Sequence, residues 1–407
     1  MKKAIFGITL FLCGQAAFGQ TSATQTLDIN SKVFNSVRRL KVNLPAGYAE
    51  YPNRSYKVLY LFDAQSDPLF NLVNETNTYL NNNVNIYVEP VILVGIVTIN
   101  RQFEFLPKNR TDQPLKDYWP KVKLGGADSL AISLRDEVMP MIKVVYRTNG
   151  YNIAVGHSLG GSFITYTLVK FPELFNAVIA ISPNYYYDHK QILSTFDSLA
   201  TTRILQNKFL YIAYGKGDKL EERFKPGTML MQRILQRKNM AGLRWRVQSL
   251  DNDSHGTTPL EGIFKALIVF NKDLTTTDEQ TDIFLKDKRT SYIDALQAYY
   301  KKQAITTGLQ LPTIGDINRL AYNCFYAENK AEAIKIMQWG ISLYPDDSNL
   351  FDSMGEFQQD AGNMKEARSC YSEGLTITEK QQPLLLPAAY QSKINWFKER
   401  MKTIEAK

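Results

Sequence analysis

The strongest constraint on how this chain folds lies in residues 151–166, YNIAVGHSLGGSFITY. Ile153-Ala154-Val155 can form a buried strand, and Gly161 to Lys170 a helix with Phe163, Tyr166 and Leu168 available for packing. Between them Gly156-His157-Ser158-Leu159-Gly160 must turn the chain sharply. A serine forced into such a turn needs tiny neighbours, because the strained backbone leaves no room for Cβ atoms at Gly156 and Gly160. The turn exposes the Ser158 hydroxyl and aims the N-terminus of the following helix at it. Gly-x-Ser-x-Gly is a loose pattern alone; the strand before it and the helix after it make Ser158 a candidate nucleophile.

The neighbouring sequence supplies a matching architecture. Val33 to Leu44 and Tyr56 to Phe62 carry β-branched and aromatic residues, and Val91 to Val97 is continuously apolar, as a strand buried on both faces requires. Ala127 to Tyr146 reads as helix, and Ala177 to Ile181 and Phe209 to Tyr214 as further strands. This alternation predicts a mainly parallel sheet flanked by helices over residues 27–274. Composition changes at Thr275 to Thr281, placing a linker at residues 275–289. Residues 290–407 are helical and repetitive. Leu320-Ala321, Ala333, Met337 and Gly340 recur as Met354-Gly355, Ala367, Tyr371 and Gly374, each 34 positions on. That period and its small residues predict an all-α, tetratricopeptide-like repeat domain, with Ser291 to Ile305 before it and Gln391 to Ile404 closing it.

At the N-terminus Lys2 and Lys3 precede an apolar run, Ala4 to Cys13, and small residues follow to Gly19. This is the pattern of a secretory leader, residues 1–19. The run is far short of the roughly 20 residues a spanning helix needs, so the mature chain is expected to be exported, periplasmic or secreted, without an integral membrane segment. Losing Lys2 and Lys3 takes the formal charge from +8 to +6. The basic residues are dispersed, which gives no nucleic-acid motif. Cys324 and Cys370 then remain, too few for a disulfide framework. No His-x-x-x-His pair, Gly-x-x-x-x-Gly-Lys or strand-linked Gly-x-Gly-x-x-Gly appears, so neither metal nor cofactor is expected.

A serine nucleophile needs a base. Of His157, His189 and His255, the last stands in a polar loop after the strand-like Trp245 to Leu250, in the Ser…Asp/Glu…His chain order. Asp218, after Phe209 to Tyr214, lies between the two and suits the acid. Glu221 and Glu222 compete with it, and Asp251 or Asp253 could assist. The oxyanion hole calls for backbone N–H groups, one from Leu159 and one from the loop Asp63-Ala64-Gln65.

With these residues in place the chain resembles the esterase D-like branch of the α/β-hydrolases, which includes the enterochelin-type siderophore esterases. The resemblance rests on LYLFDAQ (59–65), VGIVTINRQFEFLP (94–107), GHSLGGSF (156–163), FPELFNAVIAISP (171–183) and SHG (254–256), in order. It implies ester hydrolysis by Ser158 and His255, with Asp218 as acid or with a dyad alone, and no cofactor. It also implies Arg101 near the substrate, where an anionic group could meet it. Ala64 stands where the family often has Gly, and Tyr185, Tyr186 and Tyr187 where it often has Trp; Tyr185 and Tyr186 are candidates to line the pocket. The expected partner is a small-molecule ester, with the repeats serving as a lid, a homodimer contact or a protein-partner surface. The opposing reading is a catalytically weak scaffold whose repeats bind a protein.

Overall fold

Strands covered on both faces leave no residue to water, and Tyr56–Phe62, Val91–Ile96 and Ala177–Ile181 are buried at every position. In the computed structural model the described residues are 24–49, 51, 54–81, 88–110, 124–199, 203–240, 242–272, 281, 283, 286, 291–307, 313–385 and 387–405. The expected leader and nearly all of the expected linker lie outside them. The strands are β1 (Gln25–Ser31), β2 (Ser36–Asn43), β3 (Tyr56–Phe62), β4 (Val91–Ile96), β5 (Thr148–His157), β6 (Ala177–Ile181), β7 (Lys208–Gly215) and β8 (Leu243–Leu250). They form one sheet in the order β1-β2-β4-β3-β5-β6-β7-β8. β1 and β2 pair antiparallel, as do β2 and β4; every pairing from β4 to β8 is parallel.

Helices cover both faces. They are α1 (Asp67–Asn81), α2 (Arg101–Phe105), α3 (Ala127–Ser133), α4 (Met139–Val145), α5 (Leu159–Lys170), α6 (Tyr187–Asp197), α7 (Lys219–Arg237) and α8 (Thr258–Asn271). Alternate strand residues serve opposite cores. Tyr60, Phe62, Val94, Ala154, Ala180 and Ile212 face one cluster with α5 and α7 residues, while Leu59, Leu61, Leu93, Val155, Ile179 and Ala213 join α1 and α8 in the other.

Two expectations need adjusting. Val33 to Leu44 narrows to β2: the chain turns at Lys32–Asn35, where Asn35 has φ 50°, and Gln25–Ser31 before that turn pairs with β2 as β1. The helix expected over Ala127 to Tyr146 contains a π-helical turn, Leu134–Val138, between α3 and α4. Glu137 in that turn accepts hydrogen bonds from Ser31 Oγ, Ser133 Oγ and the amides of Lys32 and Val33. A helix-face carboxylate thus holds the β1–β2 turn.

Beyond the sheet come α9 (Tyr292–Thr307), α10 (Ile314–Tyr326), α11 (Lys330–Leu343), α12 (Ser348–Asp360), α13 (Met364–Lys380) and α14 (Pro387–Glu405). Small residues sit where these helices meet: a Cβ on Gly355 would lie 2.3 Å from the Tyr371 ring, and one on Gly374 2.4 Å from Phe397. The α1–α8 core continues without a break into Leu296, Tyr300, Ile317, Leu320, Ile336 and Phe357. Arg54, just before β3, reaches Asp347 at 3.0 Å and lies over the Tyr344 ring.

Candidate active site

β5 runs into α5 through Ser158, whose backbone is held at φ 58°, ψ −119°. For a residue with a side chain this is a strained conformation, of the kind that persists only where the surroundings impose it. Ser158 N donates to Ile181 O of β6 at 2.9 Å, which pins the turn to the sheet. Gly156 is required: a Cβ there would sit 2.5 Å from the Gly160 carbonyl carbon. Gly160 is not required in the same way, since its nearest contact would be 3.4 Å, to Asp63 Oδ2. The tighter partner of Gly156 is Gly161, whose Cβ would meet Gly156 O at 3.0 Å.

β8 ends in the loop that carries His255, and two layers of hydrogen bonds fix it. Lys216 N and Gly217 N both donate to Asp253 O. The loop presses so closely on the end of β7 that a Cβ on Gly215 would lie 2.2 Å from Asp253 O. His255 O accepts from His157 Nε2 at 2.9 Å and from Thr258 Oγ1 at 3.0 Å.

The structure separates the two carboxylates that compete for the base. His255 Nδ1 meets Glu221 Oε1 at 2.6 Å, and Glu221 Oε2 accepts from Gly215 N at 2.6 Å. Asp218, the expected acid, is occupied elsewhere. It is the N-cap of α7, accepting from Glu221 N through Oδ1 and from His255 N through Oδ2, both at 2.8 Å. Asp218 therefore fixes the main chain of the base while Glu221 meets its ring. One turn of α7 explains the exchange: the cap residue is spent on backbone amides, and the residue three positions on turns inward.

Burial alone would raise the Glu221 pKa, but hydrogen bonds from His255 and the Gly215 amide outweigh it and hold the carboxyl below its usual value. Hydrogen bonds from the Glu221 and His255 amides lower that of Asp218. His157 is pushed down to about 4 by burial and by the neighbouring His255, and so stays neutral. Ser182, itself at φ 46° and buried, donates to Thr258 Oγ1. Phe224 meets the His255 ring edge-on at 5.3 Å. Among the described residues no hydrogen bond joins Ser158 Oγ to His255; such contacts are often long in free enzymes and tighten with substrate.

The remaining expected residues divide. The Leu159 amide opens α5, where a helix leaves its first N–H groups without internal partners. The Ala64 amide does not suit the second oxyanion position, because it donates to Ile96 O at 3.1 Å. Arg101 Nε pairs with Asp63 Oδ1 at 2.8 Å and its Nη2 reaches His157 O at 3.4 Å, so the guanidinium borders the turn while remaining one-third exposed. Tyr185 does not line a pocket: it is fully buried and its hydroxyl bonds Thr165 Oγ1. Tyr186 is half-buried and packs beside Gly227 of α7, with Lys190 over its ring. Sequence reasoning missed the roles of His157, Ser182 and Thr258. Glu221 had a readable signal, the Asp-x-x-Glu spacing of a capping box at 218–221. Among the described residues no group of three or more His, Cys, Asp or Glu side chains is placed to hold a metal ion, and no helix is long and apolar enough to cross a membrane.

The chain has relatives among known proteins. The family model described as "Putative esterase" matches residues 31–281. Ferri-bacillibactin esterase BesA of Bacillus subtilis (strain 168) is 27% identical over 187 residues, which cover 43% of this chain and 63% of that protein. An IroE-like serine hydrolase from Shewanella oneidensis superposes with a TM-score of 0.64 at 19% identity, covering 79% of this chain and 99% of its own. An uncharacterised protein from Capnocytophaga ochracea DSM 7271 superposes at 0.61 with 14% identity, covering 94% of this chain and all of the other. The second of these likenesses extends through most of the C-terminal helices.

Proposed function

Because the chain belongs to the esterase family matched over residues 31–281, we propose that Ser158, His255 and Glu221 carry out its hydrolysis of carboxylic esters through an acyl-enzyme. Ser158 Oγ attacks the ester carbonyl as its proton passes to His255 Nε2, and Glu221 stabilises the imidazolium through Nδ1–H. The oxyanion is met by the Leu159 amide at the head of α5. His255 returns the proton to the leaving alcohol, and water repeats the cycle on the acyl-enzyme. The observation that carries this reading is the 2.6 Å contact between His255 Nδ1 and the buried Glu221 carboxylate. It gives His255, whose ring packs against the residue preceding the strained serine, the partner a general base needs.

The ferri-bacillibactin esterase activity of the relative BesA makes siderophore esters the first substrates to test, and the net charge of +6 left without Lys2 and Lys3 favours anionic ones. We read the leader as directing export, and α10 to α13 as tetratricopeptide-like pairs offering a surface to a protein partner or a second copy. A fluorophosphonate probe is expected to label the wild-type protein and not Ser158→Ala, and this variant should hydrolyse no short p-nitrophenyl ester above background. Turnover retained in Ser158→Ala sinks the assignment.

A further inference from the structure

His157, in the serine turn, touches His255 both through its ring and through Nε2. Its Nε2 lies 2.9 Å from the His255 carbonyl, an atom that can only accept, so Nε2 carries the proton and the tautomer follows from geometry. Its ring lies against that of His255 with centroids 4.5 Å apart and planes tilted by 38°. Phe224 also meets the His255 ring, nearly perpendicular to it. We propose that His157 is a positioning residue for the base, gripping His255 at its carbonyl and its ring so that Nε2 faces Ser158. The inference rests on the Ser158–His255–Glu221 reading above.

The step that needs this grip is the first proton transfer. As the bond from Ser158 Oγ to the acyl carbon forms, the hydroxyl proton moves to His255 Nε2, Nδ1 keeps its own proton against Glu221, and His255 becomes an imidazolium. A neutral aromatic ring beside that cation stabilises it, whereas a second imidazolium repels it. The charged groups facing His157 are His255 from the β8–α8 loop, Arg101 from α2 and Glu221 from α7. Burial, the neighbouring His255 and the Arg101 guanidinium together keep His157 neutral through the working pH range. The carbonyl has a second donor in Thr258, whose hydroxyl is steadied by Ser182, so the His255 loop is held from both sides.

The test compares wild type, His157→Phe and His157→Gln, with fluorophosphonate titration counting competent Ser158 in each preparation. Per titrated site, His157→Phe is expected to lose about 10–100-fold in kcat with KM within about twofold. His157→Gln, which returns an N–H donor, should recover a substantial part of that loss. In wild type the acid limb of log kcat/KM should carry one proton more below pH about 4 than in His157→Phe, with Glu221 contributing equally to both. Unchanged kcat in His157→Phe, or equal losses in both variants, overturns the proposal. If neither variant folds, a wild-type limb that remains at one proton overturns it. A wild-type protein that takes no label and turns over no ester condemns the esterase assignment instead.

Discussion

Glu221 and Asp218 stand three residues apart and do different work, and exchanging either for its amide distinguishes them. Glu221→Gln is expected to lower kcat by about 10²–10⁴-fold, and Asp218→Asn by less than about tenfold, since the latter touches only the main chain of the base. Steady-state kinetics on a soluble ester reads both, and a larger loss in Asp218→Asn contradicts the assignment. Glu221 also bears on stability. Its folded pKa lies below the ordinary 4.5, so its contribution is complete above that value and lost as pH falls through the lower, folded one. Acid unfolding of Glu221→Gln should lack that component. Ser158 and His255 were legible because a nucleophile turn and a late histidine loop are local patterns. Which carboxylate reaches the His255 ring was not, because choosing among Asp218, Glu221 and Glu222 requires knowing which way one helical turn faces. Tyr185 was misjudged for the same reason: an aromatic residue after a strand reads alike whether it fills a core or a cleft.

Whole elements were more readable than their joints. Continuous apolar runs announce β3, β4 and β6, and Val33 to Leu44 announces β2, while the turn that precedes β2 is not legible, since nothing local marks Asn35 as left-handed. Its anchor comes from a hundred residues away. Glu137, set in the π-helical turn, accepts from Ser31, Ser133 and two amides, a pairing no sequence window contains. Glu137→Ala should destabilise the protein by about 2–3 kcal/mol and leave kcat/KM unchanged, because the hairpin is the sheet edge far from β5. Denaturant unfolding with parallel kinetics checks this, and a stability equal to wild type counts against the anchor.

At the scale of the molecule the helices and the sheet share one core, and Arg54 joins Asp347, which also caps α12 through the amides of Asn349 and Leu350. Arg54→Ala leaves the nearly buried Asp347 carboxylate without its cation, and is expected to cost about 1–3 kcal/mol. Thermal unfolding should show that loss while kcat/KM holds. A fall in kcat/KM per folded molecule shows instead that the helices act on the chemistry. The period of 34 made the helical pairs legible, yet nothing in it told where they dock. Arg54 precedes the start of β3, whereas Ser158 and His255 follow the ends of β5 and β8. The Arg54–Asp347 latch and the serine turn therefore lie at opposite ends of the parallel strands. A strain applied at the latch is a strand's length from Ser158, which is why loosening it is expected to spare the chemistry.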